Sequence, residues 1–192
     1  RQTSFVLDYG AIHDTAEGAF AATGNPLDIA IEGSGYLSVQ LPDGNTAFTR
    51  AGKLAILDDG RLAAAGGLPL LGDNGQPILV PPEAQAALRI GKDGNVEGPG
   101  GPLGRIGVTT FADERSVRVR GDGLSEGEGG TLLPPAATRI RSGGLESSNV
   151  QPVAETTAMI EILRAYQSSK RMGDALDDLR KSAIQRLGTF RN

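Results

Sequence analysis

Two periodicities divide the chain. Through residues 25–120 apolar and polar positions alternate over short runs, which is the pattern of strands. In LDIAI, Leu27, Ile29 and Ile31 share one face, and in YLSVQL the same holds for Leu37, Val39 and Leu41. TAFTR, LAILDDGRLAAA and PILVPP continue the series. After EGPGGPLG, a loop by its Gly and Pro content, RIGVTTFAD and SVRVRG are strands again. Asp43-Gly44, Asp59-Gly60, Asn74-Gly75 and Asp93-Gly94 punctuate these runs at intervals of 15 to 19 residues. Each is a dipeptide suited to a tight hairpin turn with positive φ. RLAAAGG fits a strand end or a short helix. The polar stretch GDGLSEGEGGTLLPPAATRIRSGG is predicted to be a loop leading out. The result is an antiparallel β domain over residues 25–145, its last part a loop.

The pattern changes after residue 145. Pro152 is tolerated in a first helical turn, Ser148 or Asn149 is placed to cap it, and no further proline follows. On a seven-residue repeat one column holds Met159, Tyr166, Gly173, Arg180 and Leu187; the column three residues on holds Ile162, Ser169, Leu176, Ala183 and Phe190. Seven of these ten are apolar, while Glu161, Arg164, Lys170, Asp174, Asp178 and Lys181 occupy the flanks. That is a coiled-coil-like seam, interrupted at Ser169, Gly173 and Arg180. A helix over residues 152–187 is about 54 Å long. The common alternative, a helix folded back on its own sheet, does not suit that length. The seam asks for another helix, and Met159, Ile162, Leu163, Tyr166, Leu176, Ala183 and Leu187 are its candidate contact residues. The fold class is α+β: residues 1–24 an extended lead-in, 25–145 the β domain, 146–192 an assembly helix.

Composition narrows the function. The chain has 192 residues, 28 of them Gly and 11 Pro, and only 4% are aromatic. Frequent turns and a thin core follow. With no cysteine there are no disulfides, Cys-ligated zinc sites or thiol chemistry. A net charge of −4 offers no global attraction for nucleic acid, and no run approaches the length of a membrane span. Starting at Arg1, the sequence reads as a piece of a longer protein. His13, the single histidine, has no second His or Cys to join it in a metal site or relay. Asp58-Asp59 belongs to a turn and Asp177-Asp178 to a solvated helix flank. Asp73-Asn74-Gly75 lacks the alternating ligands of a calcium loop. Arg115, Arg118 and Arg120 lack the interleaved aromatics of a nucleic-acid face. No phosphate loop occurs, and GSG and GDG lack a dinucleotide context. No cofactor, metal, nucleic acid or small-molecule substrate is expected. A secreted β-rich carbohydrate-active enzyme is the alternative class, but it has no use for an unpaired helix of this length. An adhesin is the other, and it wants an aromatic-rich face.

LESSNVQPVAETTAMIEILRAYQSSKRM resembles the C-terminal signature of the flagellar axial rod and hook proteins. Leu145, Glu146, Ser148, Asn149, Val150, Glu155, Met159, Ile160, Arg164 and Tyr166 meet its positions. A second block, from TGNPLD to GQPILVP, resembles the family's N-proximal β region, with Thr49, Arg50 and Gly52, and Gly33, Gly35 and Tyr36, on its motifs. TGNPLD and SNVQPV resemble proximal-rod members most, with distal-rod members the close alternative. The resemblance implies a structural subunit, exported unfolded through the flagellar type III apparatus and seated in the periplasmic rod of the basal body. It also implies an N-terminal helix, expected before the point where this sequence starts and followed by the extended segment 1–24, that pairs with the C-terminal helix in the tubular core of the rod, and that the partners are other rod proteins. Beyond Met172 the match is weaker.

Overall fold

The computed structural model describes residues 16–113 and 117–188, of which residues 65 and 186–188 are described by backbone alone. His13 and Arg115 lie outside these residues. The chain forms two units, with the break between Asn149 and Val150.

Turn chemistry organises the first unit. At Asp59-Gly60 the glycine takes φ +81°, and the Asp59 carboxylate accepts the Arg61 backbone N–H at 3.1 Å. Only a residue without Cβ adopts that φ cheaply. The same acceptor-to-second-residue bond recurs at Asp43, Asn74 and Asp93. These turns close short antiparallel pairs, among them Tyr36–Gln40 with Thr46–Thr49 and Ala55–Ile56 with Leu62–Ala64. Leu62–Ala64 runs on into a single 3₁₀ turn, Ala65–Gly67, so RLAAAGG is both a strand end and a short helical turn.

The largest sheet has six strands, in the order Arg118–Val119, Ser125–Glu126, Thr46–Thr49, Tyr36–Gln40, Val108–Thr110 and Thr131–Leu132. Strong β-formers build its centre, and both faces of that centre are covered. Leu37 and Val39 are completely buried in the main core with Ile29, Leu62, Leu70, Val80, Val96 and Ile106. On the opposite side Tyr36, Phe48, Phe111 and Val117 form a second cluster, with Phe111 edge-on to Phe48 at 4.9 Å. The Ser38 and Thr109 hydroxyls meet at 3.1 Å and satisfy each other where both are buried. In LDIAI burial extends beyond the face of Leu27, Ile29 and Ile31: Ala30 is buried as well, and Ile140–Ser142 pairs along the edge of this strand.

Three expectations need correction. PILVPP is not a continuous strand; it makes isolated bridges from Pro77 to Leu71 and from Leu79 to Arg61, with the Ile78 and Val80 N–H groups given to the carbonyls of Leu70 and Gly60, and Pro81-Pro82 ends the run. EGPGGPLG is not a loop but the tip of a hairpin, in which Pro99-Gly100 turns and the rest belongs to the strands Asn95–Gly98 and Gly101–Arg105. Pro102 stands there on an edge strand, and the register shifts between Pro102 and Gly104. The predicted exit loop contains Ser125–Glu126, Thr131–Leu132 and Ile140–Ser142, all engaged in sheets. Segments two or three residues long are too short to carry a readable period.

The described chain closes on itself at one end. Phe20–Ala22 pairs antiparallel with Gly144–Glu146, Phe20 opposite Glu146. The Arg141 guanidinium sits over the Phe20 ring, 3.8 Å from its centre. The second unit is the helix Pro152–Gly188, 37 residues and about 56 Å long.

Candidate assembly interface

The helix begins at Pro152, where a missing N–H leaves nothing unsatisfied. Gln151 therefore holds the position before it: its carbonyl accepts the Glu155 N–H at 3.0 Å. Gln151, and not Ser148 or Asn149, is the residue immediately before the helix. Thr156 and Thr157 turn their hydroxyls back onto the carbonyls of the first turn at 2.9 Å.

Every described side chain of the helix is exposed. Met159, Ile162, Leu163, Tyr166 and Leu176 show between 52% and 70% of their surface, and Ala183 is exposed as well. The Leu187 side chain lies outside the described residues. Five further apolar side chains were not among the candidates and are equally bare: Val153, Ile160, Met172, Leu179 and Ile184. A signal for two of them was present. Ala158, Ala165, Met172 and Leu179 follow one another at seven-residue steps, in the column immediately before that of Met159. The apolar face is thus three columns wide, broader than a two-column coiled-coil seam. Asp177 and Asp178 stand on the exposed flank at 3.7 Å from Arg180 and 3.8 Å from Lys181, contacts worth little in water.

In the first unit, residues far apart in sequence meet at the closing strand pair. The Glu146 carboxylate accepts the Gly18 backbone N–H at 3.0 Å through Oε1 and the Arg50 Nε–H at 3.0 Å through Oε2. Arg50 Nη2 faces that same oxygen at 2.9 Å without the alignment of a hydrogen bond. Nη1 donates to the carbonyls of Gly33 and Gly35, at 3.2 and 3.1 Å. Beside this node, buried Asp28 accepts the Thr23 hydroxyl at 2.7 Å and the Asn25 amide at 3.0 Å. Gly52 passes so close to the Ile29 carbonyl that a Cβ would lie 1.7 Å from its oxygen. The motif glycines, Arg50 and Glu146 therefore form one fastening, in which each polar group serves the backbone.

Elsewhere the ionisable groups are spent in the same way. Arg61 holds the Asp59 carboxyl below its usual range, and the Asn45 backbone N–H does so for Asp43. The Arg120 guanidinium is pushed up by its hydrogen bond to Glu126. Asp73 pairs with Arg105 at 2.8 Å. Among the described residues no three metal-ligating side chains gather, and no helix is long and apolar enough to cross a membrane.

A β domain in which Asp43, Asp59, Asp93 and the Arg50–Glu146 pair hold its own backbone, followed by a long helix with a bare apolar face, is the build of a structural subunit. The sequence profile of the flagellar hook protein FlgE/F/G D1 domain matches residues 30–98, and that of the flagellar basal body rod FlgEFG protein C-terminal region matches residues 141–186. The chain is 37% identical to the flagellar basal-body rod protein FlgF of Caulobacter vibrioides, over 96% of its own length and 75% of that protein. It is 34% identical to FlgG of Bacillus subtilis, over 90% and 69%, and 32% identical to FlgF of Salmonella typhimurium, over 91% and 73%. The chain belongs to the flagellar basal-body rod protein family. It is a structural protein and not an enzyme, and the carbohydrate-active and adhesin alternatives lose their support.

Proposed function

We propose that the chain is a structural subunit of the bacterial flagellar basal-body rod and that it enters the rod through the helix Pro152–Gly188. Met159, Ile162, Leu163, Tyr166, Leu176, Ala183 and Leu187 carry the contact. The observation behind this reading is the bare apolar face. Burying each large side chain stabilises a complex by roughly 1.5–3 kcal/mol, a gain the helix does not collect in the chain by itself. The occupants are helices of neighbouring rod subunits, of the same and of different kinds. Contacts of this head-to-tail sort do not close and so generate a shaft. Export in the unfolded state through the type III apparatus and a periplasmic position belong to the same reading. So does a division of labour in which residues 146–192 supply the rod-core helix and residues 25–145 a separate β domain.

The test is complementation of a strain lacking the gene, scored for swimming and for basal bodies by electron microscopy. Ile162→Asp or Tyr166→Asp strands a charge against the partner helix and should abolish rod assembly while the protein is still made and exported. Asp178→Asn, on the flank, should be nearly silent. Full motility from Ile162→Asp would mean that this face is not the assembly surface.

A further inference from the structure

The chain contains two sulfur atoms in all, those of Met159 and Met172, since it has no cysteine. Neither is in the β core, whose buried members are Ile, Leu, Val, Ala and a few aromatics. Both are on the helix, 69% and 65% exposed, in the two outer columns of the apolar face, on either side of the column of Ile162. Met159 heads the column that carries Tyr166, and Met172 lies in the column of Ala165 and Leu179. Met172 also precedes Gly173, around which nothing approaches within 4 Å of a would-be Cβ, so the face is open at that point.

A thioether this exposed is open to peroxides, and its oxidation changes what the face can do. The sulfur gives an electron pair to one peroxide oxygen, the O–O bond breaks, and a sulfoxide and water result. Sulfur is oxidised by two electrons and the peroxide is reduced by two. The product replaces a flexible apolar group with a strong hydrogen-bond acceptor. Beside Met159 the next turn offers only Ile162 and Leu163, and the Thr156 hydroxyl is already given to main-chain carbonyls, so burying the acceptor there unpaired opposes association; at Met172 the hydroxyls of Ser168 and Ser169 lie one turn away and the effect is smaller. Once the helix is packed, the same sulfurs are shielded. We infer that Met159 and Met172 are modification sites at which a peroxide blocks entry of the free subunit into the rod, and that assembly closes this window. The block is reversible by enzymes that reduce methionine sulfoxide. The inference rests on the assembly reading above.

Its test has two arms. In the first, the purified chain and isolated basal bodies containing it are treated with hydrogen peroxide, and oxidation at each methionine is followed by peptide mass spectrometry. Both sites should react in the free chain and at least roughly tenfold more slowly in basal bodies. Equal rates in the two samples would overturn the inference. In the second arm, Met159→Gln with Met172→Gln imitates the polar product, and Met159→Leu with Met172→Leu removes the sulfur. The Gln pair should be exported but fail to build rods, and peroxide treatment of growing cells should lower the rod yield of the parent while leaving that of the Leu pair at its own untreated level. Rods from the Gln pair would overturn the inference, and so would a Leu pair as sensitive to peroxide as the parent. The Ile162→Asp result decides the assembly reading separately, so the two are distinguishable.

Discussion

Arg50→Ala should loosen the β domain without touching its core. The substitution removes the Nε hydrogen bond to Glu146, the charge contact at 2.9 Å and two donations to the carbonyls of Gly33 and Gly35. Glu146 then keeps only the Gly18 N–H, with its side chain 16% exposed. A hydrogen bond to a charged group contributes ~1.5–3 kcal/mol, and breaking a fully buried pair costs ~3–5 kcal/mol. The Arg50 side chain is 25% exposed, so water recovers part of the loss, and about 3 kcal/mol is expected in total. In a domain of this size that lowers Tm by roughly 6–12 °C. The melt should be followed by near-ultraviolet dichroism of the packed Tyr36, Phe48 and Phe111 cluster in a Tyr166→Leu background, so that the signal reports the β domain and not the helix. Glu146→Ala and the double variant complete a cycle, with a coupling energy of about 1–2 kcal/mol. An Arg50→Ala chain melting within roughly 1 °C of the parent, or a coupling near zero, would refute the fastening.

Gly52→Ala should be worse, because the added Cβ would meet the Ile29 main-chain carbonyl and no side chain can swing aside. Loss of a cooperative melt, or of soluble protein, is the expected outcome, and a parent-like melt would contradict the geometry. The Asp59 and Asp43 carboxyls should titrate below 3.8 in a carbon-detected NMR experiment, held down by Arg61 and by the Asn45 N–H. Since folding lowers these values, their contribution to stability is present above about pH 3.8 and is lost as the pH falls through the folded-state value; midpoints at or above 3.8 would refute this.

The helix was fully legible because 37 residues give the 3.6-residue period many turns in which to repeat. The hairpins around Asp43-Gly44 and Asp59-Gly60 were legible from their turns, where local chemistry alone sets the conformation. Ile140–Ser142 was not, although it buries Ile140 and covers Ile29–Ile31. Its partner lies over 100 residues upstream, and three residues among glycines and prolines show no alternation. The Arg50–Glu146 fastening illustrates a different limit. Both residues stood in blocks recognised for their resemblance, but nothing in either block announces that a guanidinium in one reaches a carboxylate 96 positions away. Met172 and Leu179 were missed for a simpler reason: two heptad columns were followed, while the apolar face spans three.

The pairing of Phe20–Ala22 with Gly144–Glu146 also sets an order of events in time. Phe20 meets a residue 126 positions further along the chain, so the clasp cannot form until all of the intervening sequence is available. Hairpins such as Tyr36–Thr49 close over short loops and form early; contacts of long sequence separation come late and slow the whole reaction. Under the export reading proposed above, a chain threaded out through a narrow passage would emerge with Phe20–Ala22 unmatched. It acquires its finished outline only when Glu146 arrives, immediately before the helix that follows it.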